Sequence, residues 1–179
     1  HGDTKHVLLF PASPKECFEM TADSFDLAER LQTPIILMTD LDLGMNDHIS
    51  APLKWDDSRE YDRGKVLSAA ELEKIERYGR YLDSDGDGIP YRTIPATHPT
   101  KGANVTRGSS RDEYAVYTED SAAYQRNMDR LVKKFDTAKE LVPQPEFYQE
   151  KNQSDFGVIF FGTSTYAAEE AVELLKNEG

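Results

Sequence analysis
The chain has 179 residues, enough for one modest domain or two partial ones. Its 33 acidic residues against 21 Lys and Arg leave a net charge of −12, which excludes the basic face that nucleic acid or an anionic membrane surface would need. One cysteine, Cys17, excludes an internal disulfide and a cluster ligated by this chain alone, and no apolar run approaches the ~20 residues of a spanning helix.

In chain order, His6–Phe10 reads as a short apolar strand. Ser13-Pro14-Lys15-Glu16 then spells a capping box with proline at the first helical position. The helix it opens should run to about Leu31, with Phe18, Ala22, Phe25, Leu27 and Ala28 on a broad apolar face. Pro34 and the buried-type strand Ile35–Met38 follow. Strand, helix and strand in this order predict a right-handed parallel βαβ unit, its remaining strands expected upstream of His1. Because the chain starts at His1 and opens almost at once into a strand, and closes at Gly179 behind a helix, both ends read as cuts through a larger protein.

Residues 40–66, with their prolines, Trp55 and mixed Asp and Arg, predict an extended connection. Ser68-Ala69-Ala70-Glu71 is a second capping box and starts a short helix with Leu72 and Ile75 inward. An aspartate loop follows, then an aperiodic stretch over 89–117. A long helix begins near Ser121: Tyr124, Met128, Leu131, Phe135, Ala138 and Val142 form one stripe ended by Pro143. That stripe either packs on its own chain or docks a partner. Gln144–Asp155 reads as a polar linker, Gly157–Gly162 as a new parallel-type strand, and Tyr166–Lys176 as a helix. The predicted fold class is α/β: partial parallel βαβ units from two domains joined by a long, mixed, partly irregular linker.

Four patterns carry candidate chemistry. Asp83, Asp85 and Asp87 alternate before Gly88, as in the first half of a calcium loop. Ile94 stands where the closing Glu should be and no second helix follows, so a looser Ca²⁺ or Mg²⁺ site competes with a hydrogen-bonded aspartate turn. Gly86-Asp87-Gly88 matches a thiamine diphosphate motif, but Leu82-Asp83-Ser84-Asp85 is no apolar strand and no Asn follows near Tyr114–Tyr117, so that match is rejected. Thr106, Arg107 and Arg111 could grip a carboxylate or phosphate, unless the arginines pair with Asp112, Glu113 or other acids. Thr163-Ser164-Thr165 after Gly162 could receive an anion or simply cap the helix. No residue is assigned a catalytic role. His1, His6, His48 and His98 lack metal spacing, and Cys17 reads as a small buried residue.

Three blocks together resemble the alpha subunit of 2-oxoacid:ferredoxin oxidoreductases of the 2-oxoglutarate synthase type. The first runs from His1-Gly2-Asp3 through Glu16-Cys17-Phe18 and Leu27–Pro34 to Asp40–Asn46. The second runs from Asp62–Leu67 through Arg80-Tyr81 and Asp85–Thr93 to Thr106-Arg107-Gly108. The third is Gly157–Leu175, with Gly162-Thr163-Ser164. The resemblance implies three regions: 1–46, the end of a pyrimidine-binding domain; 47–153, an interdomain segment; and 154–179, the start of a transketolase C-terminal-like domain. Ala96 departs from an expected glycine, Asn104 from a common aromatic and Arg111 from a common histidine. The implied reaction is thiamine-diphosphate-dependent oxidative decarboxylation of 2-oxoglutarate, pyruvate or a related 2-oxoacid to an acyl-CoA, with electrons passing to ferredoxin. The implied cofactors are thiamine diphosphate with Mg²⁺ and iron–sulfur clusters, mostly bound outside this chain. The implied partners are a thiamine- and cluster-bearing beta subunit, ferredoxin, the 2-oxoacid and coenzyme A, in a cytoplasmic multisubunit complex without which the chain is inactive. The alternative is an acidic Ca²⁺-binding interaction module built on Asp83, Asp85 and Asp87.

Overall fold
A computed structural model describes residues 5–148 and 157–178. His1-Gly2-Asp3, the end of the predicted linker with the boundary at 153–154, and Gly179 lie outside the described residues. The elements are β1 (Val7–Leu9), α1 (Pro14–Leu31), β2 (Ile35–Leu37), α2 (Leu41–Met45), α3 (Ala69–Lys74), α4 (Ser121–Lys139) and α5 (Ser164–Glu178). They sort into two compact units. One is built mainly from Asp26–Thr33 and Asp62–Val142, the other from His6–Phe25, Pro34–Tyr61 and the residues from Pro143 onward.

In the second unit, β1 and β2 pair in parallel with Val7 opposite Ile35 and Leu9 opposite Leu37, as a βαβ unit requires. Burial alternates along β1: Val7 and Leu9 are buried and Leu8 is 46% exposed. A two-stranded sheet covered on one face gives that pattern, not the continuous burial of a central strand. The start of α1 forms as its sequence dictates. The Ser13 hydroxyl accepts from the Glu16 amide at 3.2 Å, and the Glu16 carboxylate reaches back to the Ala12 amide at 2.7 Å. Phe18 meets Trp55 edge-on at 6.0 Å, and exposed Phe25 meets Tyr61 at 6.1 Å. Gly157–Gly162 is not a strand. No third strand pairs with the sheet among the described residues, so Val158 and Ile159 stay exposed, while Phe161 stacks on Phe10 at 4.5 Å.

In the first unit, α3 carries a complete capping box between Ser68 and Glu71, and its Leu72 is fully buried. The last turns of α1 tie down the chain where it returns at Asp62. Arg30 bonds Asp62 at 2.5 Å, Asp26 accepts the Asp62 amide at 2.8 Å, and Glu29 bonds Arg92. A parallel bridge between Val66 and Arg92 then lays Lys65 beside the aspartate loop. On α4 the buried face is Ala123, Lys134 and Ala138, flanked by half-buried Asn127 and Arg130. Up to Lys134 it is offset from the predicted stripe by one residue, ~100° of helix, and the two meet at Ala138. Tyr124 is 48% exposed, and Met128, Leu131 and Phe135 are half-buried.

Candidate functional site
The aspartate loop is shaped by its own side chains. Asp83 accepts the Gly86 amide at 2.9 Å and Asp87 accepts the Ile89 amide at 2.8 Å, the side-chain-to-backbone bonds that short acidic turns favour. The turn gathers oxygens of Asp83, Asp85 and Asp87 within 4.8 Å of one another. A cation is already among them. The Lys65 ammonium donates to Asp85 at 2.7 and 2.8 Å and to the Ile89 carbonyl at 3.0 Å, and it faces Asp87 at 2.7 Å. The Tyr91 ring lies 5.2 Å from that ammonium and its hydroxyl reaches Asp85 at 3.3 Å. Burial lowers the Lys65 pKa and raises that of Asp85. The bonds and opposite charges of Asp85 and Asp87 together leave Lys65 above its ordinary value, and Lys65 with the Tyr91 hydroxyl leaves Asp85 below. Asp83 turns the other way, to Lys133 at 3.6 Å. Sequence reasoning brought the three aspartates together but missed Lys65, which lies 20 residues away and reaches them only through the Val66–Arg92 bridge.

The far side of the loop rests on α4. The Arg130 guanidinium donates to the Gly88 carbonyl at 2.9 Å and the Thr137 hydroxyl to the Asp87 carbonyl at 2.6 Å. Gly88 has φ +80°, and a Cβ on it would stand 2.3 Å from the Lys134 amide nitrogen, so only glycine permits this approach. Lys134 itself is 4% exposed. Burial, then the charges of Arg130 and Arg80, push its pKa down to about 8.

Among the described residues no hydrogen bond joins the side chains of Thr106, Arg107 and Arg111. Thr106 and Arg107 are exposed, while Arg111 is half-buried and bridges Tyr117 through its backbone. Its guanidinium donates to the Ala115 carbonyl at 3.3 Å and lies 6.0 Å from the Tyr117 ring. The acids expected to pair with it are engaged: Asp112 accepts the Tyr114 and Val116 amides, and Glu113 holds Arg126. Nearby, a cavity of about 280 Å³ is lined by Thr93, Ala96, His98 and Lys101 among others. His98 accepts the Thr100 and Lys101 amides on Nδ1 and meets Glu73 through Nε2 at 2.6 Å, which assigns the ring proton to Nε2. Lys101 reaches the last carbonyls of α3, at Leu72, Glu73 and Ile75.

The N-terminus of α5 does hold an anion, and it is Asp40. Its carboxylate accepts from the Thr163 amide at 3.0 Å and hydroxyl at 2.6 Å, and from Leu43 at 3.0 Å as the N-cap of α2. The Leu43 amide first, then Thr163, lower its pKa to about 2. Asp40 follows β2 by three residues, where an acid before Leu41-Asp42 was readable as a cap, but its partner 123 residues on was not. Cys17 is half-buried, its thiol pushed up by burial and by Glu16 and Asp40.

No family model matches the chain. Along its whole length the chain is instead similar to the alpha subunits of 2-oxoacid:ferredoxin oxidoreductases, which are oxidoreductase subunits. It is 28% identical to the alpha subunit of 2-oxoacid:ferredoxin oxidoreductase 2 of Aeropyrum pernix, aligned over all of this chain and 27% of that protein. It is 25% identical to the KorA subunit of 2-oxoglutarate synthase of Archaeoglobus fulgidus, over all of this chain and 41% of that one. Among solved structures, 2-oxoglutarate:ferredoxin oxidoreductase from Magnetococcus marinus, which carries 2-oxoglutarate, coenzyme A and succinyl-CoA, shares the fold with a TM-score of 0.80 at 22% identity. The match covers all of this chain and 30% of that one. The chain thus spans less than half the length of these relatives. No helix among the described residues is long and apolar enough to cross a membrane.

Proposed function
We propose that the chain is a segment of the alpha subunit of a thiamine-diphosphate-dependent 2-oxoacid:ferredoxin oxidoreductase. The complex converts 2-oxoglutarate or a related 2-oxoacid to its acyl-CoA in the cytoplasm and passes the electrons to ferredoxin. The observation that carries this reading is the relation to such alpha subunits over every residue of the chain, together with a fold held in common.

The chain's own residues do not fit the cofactors. Cys17 is a lone, half-buried thiol, and a cluster takes about four thiolates. Asp87 of Gly86-Asp87-Gly88 sits in a turn, spent on Lys65 and the Ile89 amide, and ends no strand that could present it to a diphosphate. No catalytic step is therefore assigned to these residues, and thiamine diphosphate and clusters belong to other segments or to a beta subunit. What this segment contributes is scaffold: a βαβ unit in one compact body, and in the other an interdomain loop pinned between Lys65 and α4.

Purifying the parent complex through a tag on this subunit tests the reading. Thiamine and iron should co-purify in proportion to a second subunit, and neither should stay with this subunit once it is separated. A tagged subunit that purifies alone, from cells assembling it normally, would overturn the proposal.

A further inference from the structure
Among the described residues one charged residue is buried: Lys134 on α4, at 4% exposure. Its ammonium lies 5.2 Å from the Phe135 ring, and no carboxylate or carbonyl among the described residues bonds it. Arg130 stands one turn earlier on the same face. It gives a terminal nitrogen to the Gly88 carbonyl and keeps its Nε–H buried without an acceptor. The charges that act on Lys134 are those of Arg130 and Arg80, both positive. Asp83 offsets Arg130 and faces Lys133, but no acid is among the charges that move Lys134. Asp85 and Asp87 are held by Lys65, and Thr137 gives its hydroxyl to the Asp87 carbonyl. Lys134 is thus a buried ammonium with no counter-ion, beside a buried donor with no acceptor, and both are costly.

We propose that Lys134 is a modification site for carbon dioxide, its uncharged amine adding CO₂ to form an N-carboxylate. The nitrogen lone pair attacks the CO₂ carbon and a C–N bond forms. One C=O π pair moves onto oxygen, the nitrogen gives a proton to solvent, and nothing is oxidised or reduced. The product answers both deficits at once. It turns the buried positive charge into a negative one among guanidinium groups, and it supplies an oxygen to which the Arg130 Nε–H can donate. Free amine is at hand, because burial, then Arg130 and Arg80, push the Lys134 pKa down to about 8. At neutral pH that leaves about a tenth of it uncharged. CO₂ is small and carries no charge, so it pays no ionic desolvation to enter where larger or charged electrophiles are shut out. Lys133 and Lys139 lack these conditions, being exposed and set against Asp83 and Asp136. The proposal does not rest on the reaction proposed above, since dissolved CO₂ suffices.

The test records infrared difference spectra of the full-length protein, at constant pH, between CO₂-free buffer and rising CO₂, once with ¹²CO₂ and once with ¹³CO₂. A carboxylate stretch that shifts with the isotope should appear and saturate. It should be lost in Lys134→Met and kept in Lys133→Met. Arg130→Gln, which removes the facing donor, should raise the CO₂ needed for half-occupancy at least about tenfold, the scale of one charge-assisted contact. No saturable isotope-sensitive band, a band that survives in Lys134→Met, or one lost equally in Lys133→Met would overturn the proposal. Should Lys134→Met or Arg130→Gln not fold, Arg80→Gln, at a half-buried position, should weaken CO₂ uptake in the same direction, and an unchanged CO₂ dependence there would overturn it.

Discussion

At the scale of single residues, two backbone positions make opposite predictions. Gly88→Ala forces a side chain onto the Lys134 amide at a positive φ and should cost about 3 kcal/mol or more in chemical denaturation. Ala96 adopts φ +68° without being glycine, so Ala96→Gly relieves strain and should gain about 0.5–1 kcal/mol. The family resemblance marked Ala96 as standing where glycine was expected, and its positive φ is a backbone that glycine adopts freely. Lys65 makes a third residue-scale prediction. Its ammonium already occupies the place a divalent ion would take, so millimolar Ca²⁺ should leave the wild-type melting temperature unchanged. In Lys65→Met, Asp85 and Asp87 lose their cation while Asp83 stays beside them, and Ca²⁺ should then raise it. A large Ca²⁺ stabilisation of the wild type would restore the metal-binding reading.

At the scale of elements, α4 shows what periodicity can and cannot settle. Its limits were legible: it starts at Ser121 behind an Asp120 cap and is over before Pro143. Its orientation was not. The steps from Tyr124 to Ala138 mark the apolar side, yet the side that meets the loop is Arg130, Lys134 and Thr137. The reason is that loop 85–90 brings backbone carbonyls against the helix, and those need donors more than they need apolar cover. The βαβ unit was legible because capping and parallel pairing are local consequences of Ser13, Pro14 and Pro34. The strand expected over Gly157–Gly162 was not realised, because pairing needs a neighbour that no local pattern supplies. The buried lysine gives α4 a pH signature. Its pKa of about 8 lies below the unfolded value near 10.5, so between those values the unfolded chain holds more protons. The stability of wild type relative to Lys134→Met should therefore rise with pH through about 8 to 10.5, by an amount on the order of a few kcal/mol. Equal pH profiles for the two proteins would contradict a strained ammonium.

At the scale of the whole molecule, the proposed function makes this chain one segment of a longer oxidoreductase subunit. The resemblance read from Asp85–Thr93 and its flanks agrees with relatives that align over the full chain. The candidate grip at Thr106, Arg107 and Arg111 stays a proposal, because spacing along a loop does not say where its backbone turns. The most direct measurement of the central claim is reduction of a viologen dye by the intact complex, supplied with 2-oxoglutarate, pyruvate or a branched 2-oxoacid, with and without coenzyme A. The account predicts reduction that depends on both a 2-oxoacid and coenzyme A, and none from this segment alone. No reduction with any of these acids, by a complex whose clusters are intact, would contradict it.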